Sequence, residues 1–147
     1  MGRKIKKIYL HCSDSDDSLD FDVKDINDWH KQRGFESKSG INVGYHYVIK
    51  RDGTIQEGRP DSETGAHVKG DNRNSIGICL IGRNKFSNMQ INSAFTLIRK
   101  KMKEYDIDIS DVYGHYEKDP GKTCPNLDMT FFRANLLFVF DVDIKKK

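Results

Sequence analysis

The chain alternates short apolar runs with polar, turn-rich stretches. Ile8-Tyr9-Leu10 predicts a short buried strand with His11 at its C-terminal end. Residues 13–22 are rich in Ser and Asp and read as loop. Asp22 is placed to cap a helix from Val23 to about Arg33, with Val23, Ile26 and Trp29/His30 on one face and Gly34 ending it. Tyr45 to Lys50 reads as a strand, and Asp52-Gly53 turns it into a second strand over Thr54 to Glu57. Period-two alternation puts Tyr45, Tyr47 and Ile49 on one face and His46 and Val48 on the other. Residues 58–74 form a long glycine-bearing loop, a length that in a compact domain often serves function. Ile76 to Ile81 is a continuous apolar run, as in a central strand buried on both faces. Ile91, Ala94, Phe95, Ile98, Met102 and Tyr105 recur at helical spacing and predict the longest helix. Val112-Tyr113 is a short strand before Gly114-His115, and Asp128 caps a last helix over roughly 129–138. Strands and helices alternate. The expected class is α/β, a single domain with one mixed central sheet flanked by about three helices. The domain spans residues 1–147, with a core at about 5–138 and a basic tail at 141–147.

Composition narrows the class. At 147 residues there is room for one domain, and eight Phe, six Tyr and one Trp supply bulky groups for one core despite a hydrophobic fraction of only 36%. No apolar stretch approaches the roughly 18–20 residues that span a bilayer, so membrane insertion is not expected. The apolar run after the basic start is too short for a signal peptide, so the chain is expected to be made in the cytoplasm and to act elsewhere by other machinery. Net charge is only +3, far from the basic stripe of a nucleic-acid binder, and the cluster around Arg99-Lys100-Lys101 reads as a solvated face. Cys12, Cys79 and Cys124 are an odd, sparse set that makes a poor disulfide framework. Cys79 sits in an apolar run and reads as a small buried hydrophobe. Asp14, Asp16, Ser18, Asp20, Asp22 and Asp25 mimic a Ca²⁺-loop spacing, but Leu19 stands where that loop needs Gly, so the stretch reads as an acidic solvated loop.

His11 and His115 each follow a short apolar strand, and Cys124 lies beyond a loop containing Pro120 and Gly121. Strand ends in α/β proteins face the ligand crevice. Two imidazoles and a thiolate suit Zn²⁺, and three protein ligands leave a fourth position for water. Spacing alone does not single these residues out, since neither H-E-x-x-H nor C-x-x-C is present.

Seven short blocks occur together and in order. They are His11-Cys12-Ser13, Val43-Gly44-Tyr45-His46-Tyr47-Val48-Ile49, Arg51-Asp52-Gly53-Thr54, Gly65-Ala66-His67-Val68-Lys69-Gly70, Asn74-Ser75-Ile76-Gly77-Ile78, Gly114-His115 and Lys122-Thr123-Cys124-Pro125. Together they resemble the zinc N-acetylmuramoyl-L-alanine amidases of the phage-lysozyme type, whose fold the peptidoglycan recognition proteins share. The resemblance covers about residues 5–138. It implies that His11, His115 and Cys124 hold one Zn²⁺ and that Tyr45 and Lys122 are catalytic. It also implies that His67 and the Asn72–Asn74 stretch, with Asn72 and Asn74 as contacts, line a substrate groove. The segment from Glu117 to Gly121 is about a residue longer than in the phage members it resembles.

The implied substrate is the amide between the lactyl group of N-acetylmuramic acid and L-alanine in bacterial peptidoglycan. A Lys ammonium and a Tyr hydroxyl suit the charge and proton handling that amide hydrolysis needs. Glu57 and Glu117 are candidate bases by position only, and Tyr45 is preferred as the proton-handling group. The alternative is a module that binds muropeptides without cutting them. Non-catalytic members of the fold typically lack the cysteine ligand, and Cys124 is present. The expected setting is a phage or prophage endolysin, or a delivered effector, acting as a monomer.

Overall fold

The computed structural model describes residues 3–35 and 37–145, with side chains described up to Leu137. Its elements are β1 (Lys7–Cys12), α1 (Val23–Gln32), β2 (Tyr47–Ile49), β3 (Ile55–Glu57), β4 (Ser75–Leu80), α2 (Asn88–Tyr105), β5 (Val112–Gly114), α3 (His115–Lys118) and α4 (Met129–Lys145). The five strands form one mixed sheet in the order β3-β2-β4-β1-β5. Strand β1 runs parallel to both β4 and β5, and β2 runs parallel to β4, while the β2–β3 hairpin is antiparallel. The expected α/β class with a mixed central sheet is what forms. The basic tail expected at 141–147 falls on side chains outside the described residues.

The helix starts follow their capping chemistry. The Asp22 side chain accepts from the Lys24 and Asp25 backbone N–H groups, and Asp25 reaches back to the Asp22 N–H. Ser87 and Gln90 do the same for α2. Each such cap satisfies N–H groups that the helix itself leaves unpaired. Asp128 accepts from Phe131 N–H at the start of α4.

The sheet has two unlike faces. On one, Ile8, Leu10, Ile76, Ile78, Leu80, Tyr47 and Ile49 pack against Ala94, Phe95, Leu97 and Ile98 of α2 and Met129, Phe132 and Leu136 of α4. On the other, Val48, Cys79 and Ile81 pack with Ile26 and Val43, and Trp29 and Tyr45 close the edge. Register pairs Tyr9 with Gly77 and His11 with Cys79 on this second face.

Two expectations change. Strand β2 begins only at Tyr47, so the alternation expected from Tyr45 breaks. Tyr45 packs on the α1 side with Val48, not with Tyr47 and Ile49. The reason is local. Gly44 donates its N–H to His30 Nδ1 at 2.7 Å, and a Cβ there would fall 2.1 Å from the Ala66 carbonyl oxygen. The chain at 43–46 is thus seated against α1 and the 65–67 loop before the strand starts. The second change is α3, a single turn that follows β5 directly and makes a fourth helix. Glu117 Oε1 caps its start at Gly114 N–H, and the same carboxylate takes two bonds from Arg133 of α4.

Candidate metal centre and active site

His11 is on β1, His115 opens α3, and Cys124 lies in the loop before α4. One ligand atom from each lies within 4.8 Å of the others, so these three could hold a metal ion. Parallel pairing of β1 with β5 explains half of this, because it sets the C-terminal ends of both strands side by side. The His11 and His115 rings sit 4.6 Å apart. Cys124 is brought in by the backbone: Tyr116 N–H donates to its carbonyl at 3.0 Å, and its Sγ accepts the Cys12 N–H at 2.9 Å. An N–H aimed at the sulfur favours the thiolate that a metal needs. The Cys124–Pro125 peptide bond is cis.

His115 and Cys124 line a cavity of about 860 Å³. Its wall includes Tyr45, His67, Asn72, His115, Lys122 and Cys124. The structure therefore gathers both expected catalytic residues, and two of the three expected groove residues, around the His-His-Cys group. Asn74 is not part of that wall. It stands at the opposite end of β4 from the residue paired with His11, in a 3₁₀ turn over Asn72–Asn74. Asn72 has a second task, since its Oδ1 accepts the backbone N–H groups of His67 and Val68 and so shapes the loop. Glu57 and Glu117 are also absent from the wall. Glu117 is committed to Arg133 and the α3 cap.

The Tyr45 ring lies 5.0 Å from the His11 ring and 5.5 Å from the His30 ring. Burial, with the Cys79, Cys124 and Cys12 thiols close by, pushes its hydroxyl above the ordinary phenol range. Tyr45 is therefore a proton donor in the resting site. Burial pushes the imidazoles of His11 and His67 well down. Burial thus disfavours the charged form of both, and a metal ligand must offer an unprotonated nitrogen. His115 is lowered as well, by burial first and by Lys122 in part. Lys122 is solvent-exposed on the cavity wall.

Some wall residues are not among the expected site residues. Arg33, Lys69 and Asp119 reach the cavity only through the folding of α1 and two loops. The acidic loop at 13–22 is bonded internally and to residues 83–85. Asp17 accepts from the Arg83 and Lys85 N–H groups, and Asp14 pairs with Arg83 at 2.8 Å.

The N-acetylmuramoyl-L-alanine amidase family profile matches residues 1–127. The chain belongs to this family. It is thus an N-acetylmuramoyl-L-alanine amidase, an enzyme that hydrolyses a peptidoglycan amide in cell-wall lysis. The amidase is 37% identical over 130 residues to the endolysin of Escherichia phage T7, covering 83% of this chain and 81% of that one. Among solved structures, it is similar to the N-acetylmuramoyl-L-alanine amidase LysC from Clostridium intestinale URNW. That match has a TM-score of 0.79 and 29% identity, and covers 91% of this chain and 86% of the other. It is also similar to Drosophila PGRP-LB, with a TM-score of 0.69 and 26% identity over 85% of this chain and 76% of that one. No helix among the described residues is long and apolar enough to cross a membrane.

Proposed function

We propose that the amidase holds one Zn²⁺ through His11, His115 and Cys124 and cleaves the bond between the lactyl group of N-acetylmuramic acid and L-alanine. The observation that carries this reading is the convergence of the three donors within 4.8 Å of one another, with His115 and Cys124 on the cavity wall. Two imidazoles and one sulfur are a donor set suited to Zn²⁺, and three protein ligands leave a position open for chemistry. When bound, Zn²⁺ lowers the pKa of a coordinated water toward about 7 and polarises a carbonyl.

The chain's own residues then have distinct tasks. Tyr45, beside His11, orients the attacking water by its hydroxyl and passes a proton toward the leaving amine. Lys122, on the rim, places an ammonium where negative charge develops on the carbonyl oxygen. Asn72 braces the loop that forms the groove wall. All of these groups come from one chain, so a monomer suffices. Peptidoglycan is the substrate, and the enzyme acts at the cell wall after release or delivery.

The test is release of free L-alanine amino groups from purified peptidoglycan by wild type and Cys124→Ser, with metal content assayed on both. Zinc-loaded wild type is expected to release them and the variant to lose both zinc and release. Wall binding by zinc-loaded wild type without release would make the chain a recognition module instead.

A further inference from the structure

His67 is buried, yet its ring is held from both sides. Its Nδ1 lies 2.9 Å from His11 Nε2. Its Nε2 lies 3.3 Å from Ser75 Oγ. Ser75 Oγ in turn donates to the Asp71 backbone carbonyl at 2.7 Å. That last contact sets the direction of the whole row. A carbonyl only accepts, so the single Ser75 proton goes to Asp71. Ser75 Oγ must then accept, which puts a proton on His67 Nε2. A neutral His67 carries no second proton, so its Nδ1 is a lone pair and accepts from His11 Nε2–H. A neutral His11 is then left with its lone pair on Nδ1.

We propose that His67 is a positioning residue, which, aligned by Ser75, holds His11 in the tautomer that offers Nδ1 to the metal. The inference rests on the metal reading above.

The packing is shaped for this row. A Cβ at Gly77 would fall 2.6–2.8 Å from three atoms of the His67 ring, and one at Gly65 would fall 2.7 Å from its Cδ2. Ser75 and Gly77 project from β4 on the same face as Cys79, so small residues there leave a seat for an imidazole lying over the sheet. The anchor is itself tied down, since the Asp71 carboxylate takes bonds from Tyr9 and Lys7. A histidine that ligates a metal through one nitrogen and donates from the other to a fixed partner loses little freedom on binding. Loss of such a partner typically costs about 10–100-fold in metal affinity.

The experiment is zinc affinity by competition with a chromophoric chelator, together with imidazole ¹⁵N NMR of zinc-loaded wild type. His67→Leu removes the acceptor and is expected to weaken zinc binding about 10–100-fold. His67→Gln keeps an acceptor oxygen and should recover part of the loss, and Ser75→Ala should show a smaller loss. The NMR spectrum should show a proton on Nε2 of both His11 and His67. Wild-type zinc affinity in His67→Leu with a raised KM would make His67 a substrate contact and overturn the proposal. A proton on His11 Nδ1 would also overturn it, even if the variants fail to fold. If wild type takes up no zinc, or Cys124→Ser takes it up equally, the metal centre itself is wrong and the proposal falls with it.

Discussion

The two faces of the same sheet follow opposite rules. Toward α2 and α4 the strands present Ile8, Leu10, Ile76, Ile78 and Leu80, all with 0% exposure and no polar atom to satisfy. On the opposite face the same strands present Tyr9, His11, Ser75, Gly77 and Cys79. These are also buried, but the polar ones are tied into hydrogen bonds. One face supplies stability by shape and apolar area, and the other supplies chemistry by fixing donors and lone pairs. Strand β4 shows how one segment serves both. Its even-numbered residues are large and branched, while Ser75, Gly77 and Cys79 are small and make space for imidazoles above them.

If the division is right, substitutions on the two faces fail in different ways. The largest expected effect is on the cavity face. Cys124→Ser should lose about 10³-fold or more in amidase rate along with stoichiometric zinc, read by amino-group release and metal assay. Tyr45→Phe should keep its zinc and its melting temperature but lose about 10²-fold in kcat. Full turnover in that variant would remove Tyr45 from the proton path. Ile78→Ala should do the reverse. It opens a cavity against α2 and should cost about 2–5 kcal/mol in urea unfolding, with kcat per folded molecule unchanged.

The smallest effect concerns pH. His30 and His46 each accept a backbone N–H at Nδ1, from Gly44 and Gly77, and burial lowers each to about 4. Their ordinary value is about 6.5, so between about 6.5 and 4 the unfolded chain binds more protons than the folded one. Stability should therefore fall as pH drops through that window, by roughly 2–3 kcal/mol per histidine. Urea midpoints at several pH values would show it, and the slope should shrink in His30→Gln and His46→Gln.

Much of this was legible in the residues. Asp22 sits where a helix cap is needed, and the run Ile76 to Ile81 has the continuous apolarity of an interior strand. His11, His115 and Cys124 stood in sequence blocks whose resemblance implied a shared task, and the parallel pairing of β1 with β5 explains how the two histidines meet. What escaped was tertiary. Tyr45 turned to the other face because Gly44 is pinned by His30 and crowded by Ala66, residues distant in sequence. The α3 turn is four residues long, too short for periodicity to register, although Glu117 three residues after Gly114 is a capping signal. Asn74 shares a motif block with β4 yet sits at the end of that strand away from the residue paired with His11, outside the cavity wall. The bond from His67 to His11 spans 56 positions, and no local pattern encodes it.

The most direct test of the central claim is to replace the metal with Co²⁺ at one equivalent and record the absorption spectrum. The account predicts a four-coordinate ion with intense visible bands and a sulfur-to-cobalt charge-transfer band that disappears in Cys124→Ser. A weak, six-coordinate spectrum without a sulfur band, unchanged by that substitution, would contradict it.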